Sequence, residues 1–187
     1  MLISPTEIAH MIIVTLALGF IFMSYLKKPR TELDVLGYTR YGFDWNDFKL
    51  AALITAPGII LHELAHKFVA MGFGLIATFK VWWFGLFLGV FLKIINSPFI
   101  LFAPGFVETS SRTALQSFLI SFAGPFMNLL LFGIAWYCLE YVKLSKKWAI
   151  TLYLTKQINL FLFIFNMLPI PPLDGYKVFS NLFSLIF

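Results

Sequence analysis

Residues 58–68 read GIILHELAHKF. Two histidines and a glutamate, His62, His66 and Glu63, interrupt a run otherwise suited to hydrocarbon, where an ionisable side chain is costly and usually functional. The apolar stretch around them, Ala51 to Met71, is long enough as a helix, at about 1.5 Å per residue, to cross a hydrocarbon core of roughly 30 Å. A fold that accepts this stretch must therefore supply a polar interior within the membrane.

The rest of the chain agrees with a membrane setting. Of its 187 residues, 60% are hydrophobic and only 12% charged, far from the balance of a soluble domain. Ile8 to Leu26 carries no acid or base apart from His10, and Thr113 to Leu139 carries none, so each reads as a span. Trp148 to Pro169 is also long enough but holds Lys156, Gln157, Asn159 and Asn166. Lys27, Lys28 and Arg30 follow the first span directly, without a small-residue cleavage site, so it reads as a retained anchor. His10, near its start, suits an interfacial role better than ligation. The formal charge of +5 is spread over loops and helix ends, which suits anionic lipid and argues against a nucleic-acid partner. Cys138 is the one cysteine, so neither an internal disulfide nor a thiolate-rich metal cluster can form.

The expected fold class is an all-α polytopic membrane protein of about four transmembrane helices. Lys27 to Lys49 reads as a loop, with Asp44, Asn46 and Asp47 as capping types before the second span. Leu75 to Thr109 is apolar but broken by Gly and Pro, and its ends, IATFKVWWF and SPFILFAPGFV, are aromatic and β-branched. They predict a small membrane-associated hairpin or sheet between the second and third helices. Such a sheet must lean on the helices around a cleft, because strand backbone cannot face lipid unshielded. Ser117, Ser121, Gly124 and Asn128 form one helical stripe, and Ala51, Thr55, Gly58, His62 and His66 form another. Asn159 and Asn166, seven apart, share a face of the fourth helix. Three polar seams imply one interior site.

His62 and His66, four apart on a helix, leave the same side about one turn apart and can bind one metal ion. Zinc suits neutral imidazole and carboxylate and hydrolyses without redox change. Glu63, beside the ion, is placed to take a proton from activated water and pass it to a leaving amine. A third ligand is expected. Asp174 follows NMLPIPP, whose prolines end the fourth helix, and Gly175 permits a sharp turn beside it. Spacing alone leaves two readings of Asp174: a metal ligand, or the cap of a short final helix.

HELAH at 62–66, SFAGPFMN at 121–128 and NMLPIPPLDG at 166–175 together resemble the site-2 protease family of intramembrane zinc metalloproteases, peptidase family M50, of prokaryotic and archaeal type. The likeness covers roughly residues 50–178. It implies a single membrane-embedded metalloprotease domain over 1–187 with that stretch as catalytic core. It also implies one zinc ion held by His62, His66 and Asp174, with Glu63 as catalytic acid and base. Asn128 would bind substrate or polarise its carbonyl, and Asn166 and the proline loop would shape the cleft. Tyr176 departs from the family pattern, in which a second glycine often follows Asp-Gly. The implied activity is hydrolysis of peptide bonds within or near a membrane-protein substrate's transmembrane segment, as in regulated intramembrane proteolysis, by a multi-pass protein of the cell membrane in contact with the lipid bilayer. The competing class is a membrane metal carrier or an inactive scaffold, which would use a polar seam but has no need of Glu63. Eight basic residues in the loops after the first and third spans, against five on the other side, point to an outside N-terminus; the resemblance implies the reverse.

Overall fold

The computed structural model describes residues 2–26, 43–95, 97, 105–109 and 113–186. Among the described residues, four helices are long and apolar enough to cross a membrane: α1 (Pro5–Phe22), α2 (Trp45–Gly72), α4 (Ala114–Tyr141) and α5 (Lys146–Asn166). Between α2 and α4 lie strand β1 (Ala77–Val81), the short apolar helix α3 (Trp83–Ile94) and strand β2 (Gly105–Thr109), and the chain closes with α6 (Asp174–Ile186). Most of the loop expected over Lys27–Lys49 falls outside the described residues.

Helix starts follow from local chemistry. Asp44 caps α2, its carboxylate accepting from Asn46 N–H at 2.8 Å and Asp47 N–H at 3.2 Å. Ser4 with Glu7, and Thr113 with Gln116, form capping boxes at α1 and α4. α1 and α2 are antiparallel. At one end Lys67 of α2 donates to Glu7 of α1, and at the other Gly19 lies so close to Phe48 that a Cβ would stand 2.8 Å from its ring.

Burial departs from that of a soluble bundle. Ile12, Leu16 and Ile134 are more than half exposed, whereas Asn128 and Asn159 have no exposed surface. Apolar side chains outside and polar ones inside is what a hydrocarbon solvent favours. The expected seams accordingly turn inward: Ala51, Thr55, Gly58, His62 and His66 of α2 are all buried, as are Ser121, Gly124 and Asn128 of α4. α4 is the central element, packing on α2, α5 and α6.

β1 and β2 pair antiparallel, from Ala77 opposite Thr109 to Val81 opposite Gly105. The expected sheet is present, but β1 is shorter than the stretch IATFKVWWF suggested. The chain turns helical at Trp83, and of SPFILFAPGFV only Ser97 and Gly105 to Val107 lie among the described residues. Gly85, Leu86 and Gly89 fall on one helical face, which α3 buries against α1. A helix satisfies its own backbone where a strand in the same place would not.

The outer side of β1 is closed by α1. Phe79 N–H donates to Glu7 at 2.8 Å, and the Phe79 carbonyl lies 3.3 Å from His10 Nδ1. Glu7 therefore gathers Lys67, Phe79 and the Ser4 N–H around one buried carboxylate, and so fixes the sheet against the helix that carries His62 and His66.

Candidate metal centre

The buried seam of α2 brings both imidazoles to the same place, with His62 Nε2 and His66 Nε2 3.1 Å apart. α6 begins at Asp174, and its Oδ2 lies 3.0 Å from His62 Nε2 and 3.2 Å from His66 Nε2. Gly175 explains how α6 gets so close. A Cβ there would meet the Met167 and Leu168 backbone at 2.4–2.5 Å, so only glycine lets the first turn of α6 close onto the end of α5. It sits inside the helix, and close approach rather than a sharp turn is its role. The two readings of Asp174 merge, since it starts α6 and also faces both histidines.

Hydrogen bonds fix the two rings. The Asn159 amide donates to the Thr155 carbonyl at 2.8 Å, which leaves its Oδ1 to accept from Asn128 Nδ2 at 3.0 Å. Asn128 Nδ2 also donates to the Gly58 carbonyl at 3.0 Å, so Asn128 Oδ1 is the atom facing His62 Nδ1, at 2.7 Å. His66 Nδ1 faces the Ile120 carbonyl at 2.6 Å. Both Nδ1 atoms thus meet acceptors and carry the hydrogen, so both Nε2 atoms present lone pairs.

Two lone-pair nitrogens and a carboxylate oxygen in mutual contact repel one another. A single proton would relieve one edge of that triangle, whereas a cation relieves all three. Tetrahedral zinc with arms of about 2.0–2.1 Å sets its ligand atoms about 3.3 Å apart, close to the spacing here. Gly124 makes the room: a Cβ on it would lie 2.4 Å from His66 Nε2 and 2.6 Å from His62 Nε2. Among the described residues, His62, His66 and Asp174 are the group of acids and histidines whose ligand atoms converge for a metal ion. These residues fit zinc.

Glu63 stands outside that group, half-buried and next to His62 in α2. Both ends of the Asn128 amide are engaged inside the protein, its Oδ1 facing His62 Nδ1. Asn166 donates to the Leu162 carbonyl of its own helix and does not join the network. Asn159, its partner on the same face, does. Asn128→Leu is expected to weaken zinc binding about 10–100-fold, the usual cost of losing a partner that orients a ligand. Competition with a zinc chelator measures it; unchanged affinity with slowed turnover would instead assign Asn128 to the substrate.

Comparison with known proteins points the same way. The model of peptidase family M50 matches residues 141–187. Three relatives share the name "Putative zinc metalloprotease". MJ0611 of Methanocaldococcus jannaschii is 34% identical over 178 residues, 94% of this chain and 84% of its own length. YwhC of Bacillus subtilis is 32% identical over 139 residues, 65% of this chain and 64% of its own. Protein sll0528 of Synechocystis is 26% identical over 168 residues, 89% of this chain and 39% of its own.

Proposed function

Because the chain belongs to peptidase family M50, the site-2 protease family, we propose that it is an intramembrane zinc metalloprotease cutting other proteins within or near their membrane-spanning segments. The carrying observation is the convergence of His62 and His66, on the buried face of the membrane-length α2, with Asp174 at the start of α6, Glu63 being next to His62 in the chain. His62, His66 and Asp174 would hold the ion, while Asn128 and the Ile120 carbonyl keep the two rings turned toward it. Zinc, when bound, supplies Lewis acidity, polarising a carbonyl and acidifying water. Glu63 takes the proton from the attacking water and delivers it to the departing amine.

A substrate helix hides its carbonyls in its own hydrogen bonds, so an extended segment must be presented instead. Adding a strand to the sheet would hold such a segment. Glu7 and His10 occupy the outer side of β1, so the candidate edge is the outer side of β2 at Val107. Ladder alternation turns the Phe79 N–H away from β2, and so turns the Val107 N–H and carbonyl away from β1. The whole would be a multi-pass protein of the cell membrane.

The test is cleavage of a single-span protein embedded with the enzyme in liposomes, with bound zinc measured in parallel. Activity should disappear on chelation and return with zinc. Zinc-loaded protein that cuts only soluble peptides would refute the intramembrane part of the reading. Zinc-loaded protein that cuts nothing would mark a carrier or scaffold.

A further inference from the structure

We infer that the outward face of α5, at Lys156 and Gln157, is a docking surface for a transmembrane helix of another protein that carries a carboxylate at mid-membrane depth.

α5 stands at the edge of the bundle. It packs on α4 and α2, and 11% of its apolar stretch is buried against 28–44% for the other three spans. Its inner side is polar and engaged: Thr151 and Asn159 are buried, and Asn159 bonds both to the Thr155 carbonyl and to Asn128. Helix periodicity puts Tyr153, Gln157, Leu160 and Ile164, spaced four, three and four, on the opposite side, with Lys156 on its flank. Tyr153 is 50% and Ile164 55% exposed, and Gln157 is exposed as well. The outward side of a span ordinarily carries apolar residues, as α1 does with Ile8, Ile12 and Leu16. Lys156 and Gln157 break that pattern.

Depth makes the exception costly. The turn before α5 and its first residues hold Lys143, Lys146, Lys147 and Trp148, the basic and aromatic mark of a membrane surface. From Lys146 to Lys156 the helix rises about 15 Å, half of a hydrocarbon core of roughly 30 Å. Lys156 relieves part of the cost by reaching back toward that surface, its Nζ 5.3 Å from the centre of the Tyr153 ring, one turn nearer Lys146. The side chain of Gln157 is too short to do so, and among the described residues its amide has no hydrogen-bond partner. Acyl chains offer none. A polar group held in hydrocarbon without a partner in its own chain points to a partner in another.

The two side chains define that partner. Lys156 presents ammonium hydrogens and Gln157 amide hydrogens from adjacent positions, and a carboxylate accepts both. A second copy fits poorly, because symmetric pairing through this face sets one Lys156 against the other. A lipid phosphate at the surface meets Lys156 but leaves Gln157 unpaired. The thickness of α5, about 10 Å, separates the docked helix from Asn159 and the rings, so the surface holds a protein beside the metal centre without entering it. The inference needs α5 to span the membrane and does not depend on the cleavage chemistry.

Förster transfer in proteoliposomes holding the full chain tests this. Cys138→Ala with Ser145→Cys carries the donor, and Leu–Ala transmembrane peptides of about 20 residues, with Glu, Leu or Lys at the centre, carry the acceptor. The Glu peptide should associate about tenfold more tightly than the Leu peptide, a difference of about 1.4 kcal/mol, and the Lys peptide no better than Leu. Lys156→Met with Gln157→Leu should erase the preference while helical content and bound zinc stay at wild-type levels. Equal association of all three peptides would overturn the inference, as would a Glu preference that survives the double substitution. Transfer between two labelled copies that the double substitution abolishes would show self-association and refute it. Spin-labelled phosphatidylglycerol held in place of the Glu peptide, and released by the same substitutions, would assign the face to lipid and refute it too.

Discussion

Glu63→Gln is expected to lower peptide hydrolysis about 10³-fold, within the range that a positioned general base contributes, while bound zinc stays at the wild-type level. Glutamine keeps the size and shape of the side chain, and Glu63 lies outside the group whose ligand atoms converge. The substitution therefore removes a proton acceptor and leaves the ion's holders, His62, His66 and Asp174, untouched. Elemental analysis of the purified variant, beside single-turnover cleavage of the liposome-embedded substrate, separates these effects. Loss of zinc would make Glu63 a ligand, and turnover within tenfold of wild type would remove it from the chemistry. Uniform loss through misfolding is checked by helical content and thermal unfolding in detergent.

How much of this site could be read from the chain depends on how local each part is. His62 and His66 lie four apart, and helix geometry alone puts their rings on one side. Asp174 stands 108 residues beyond His66, and no periodicity links them; only the docking of α6 onto α4 and the end of α5 brings its oxygen to the rings. Asn159 and Asn166 offered the same helical face, and composition does not choose between them. Packing does, because Asn159 stands opposite Gly58, where a Cβ would lie 2.8 Å from its Oδ1. Close approach is thus why Gly58 sits there. α3 escaped the sequence reading, which took Trp83 and Phe84 as the end of a strand and assigned nothing to residues 85–94, for a different reason. Trp83–Ile94 is apolar apart from Lys93, so its hydrophobic pattern has no period that separates helix from strand. The four-residue spacing of Gly85 and Gly89 was the usable signal, since small residues at that interval mark a helix face in close contact.

Gly124→Ala sets two physical effects against each other, and their magnitudes decide the outcome. Alanine is the better helix former by about 1 kcal/mol, and Gly124 lies in the interior of α4, so propensity alone favours the variant. Gly124 also faces the rings, and the new methyl would stand 2.4 Å from His66 Nε2 and 2.6 Å from His62 Nε2, distances that real side chains do not reach. Something must move. The rings are tied by Nδ1 to Asn128 and to the Ile120 carbonyl, and both ties lie on α4, the helix that carries the methyl. The rings therefore cannot retreat without breaking a buried hydrogen bond, and leaving a buried polar group unpaired costs about 1–3 kcal/mol. Giving way at both rings exceeds the helix-propensity gain and displaces two of the three ligand atoms. Zinc affinity should fall at least about 100-fold, the factor for roughly 2.8 kcal/mol, and cleavage should fall with it. Helical content should stay at the wild-type value. Zinc titration against a competing chelator reads the first quantity and circular dichroism the last. A variant that keeps wild-type zinc affinity would mean that the two rings do not converge in front of Gly124, and the proposed ligand set would be lost with that convergence.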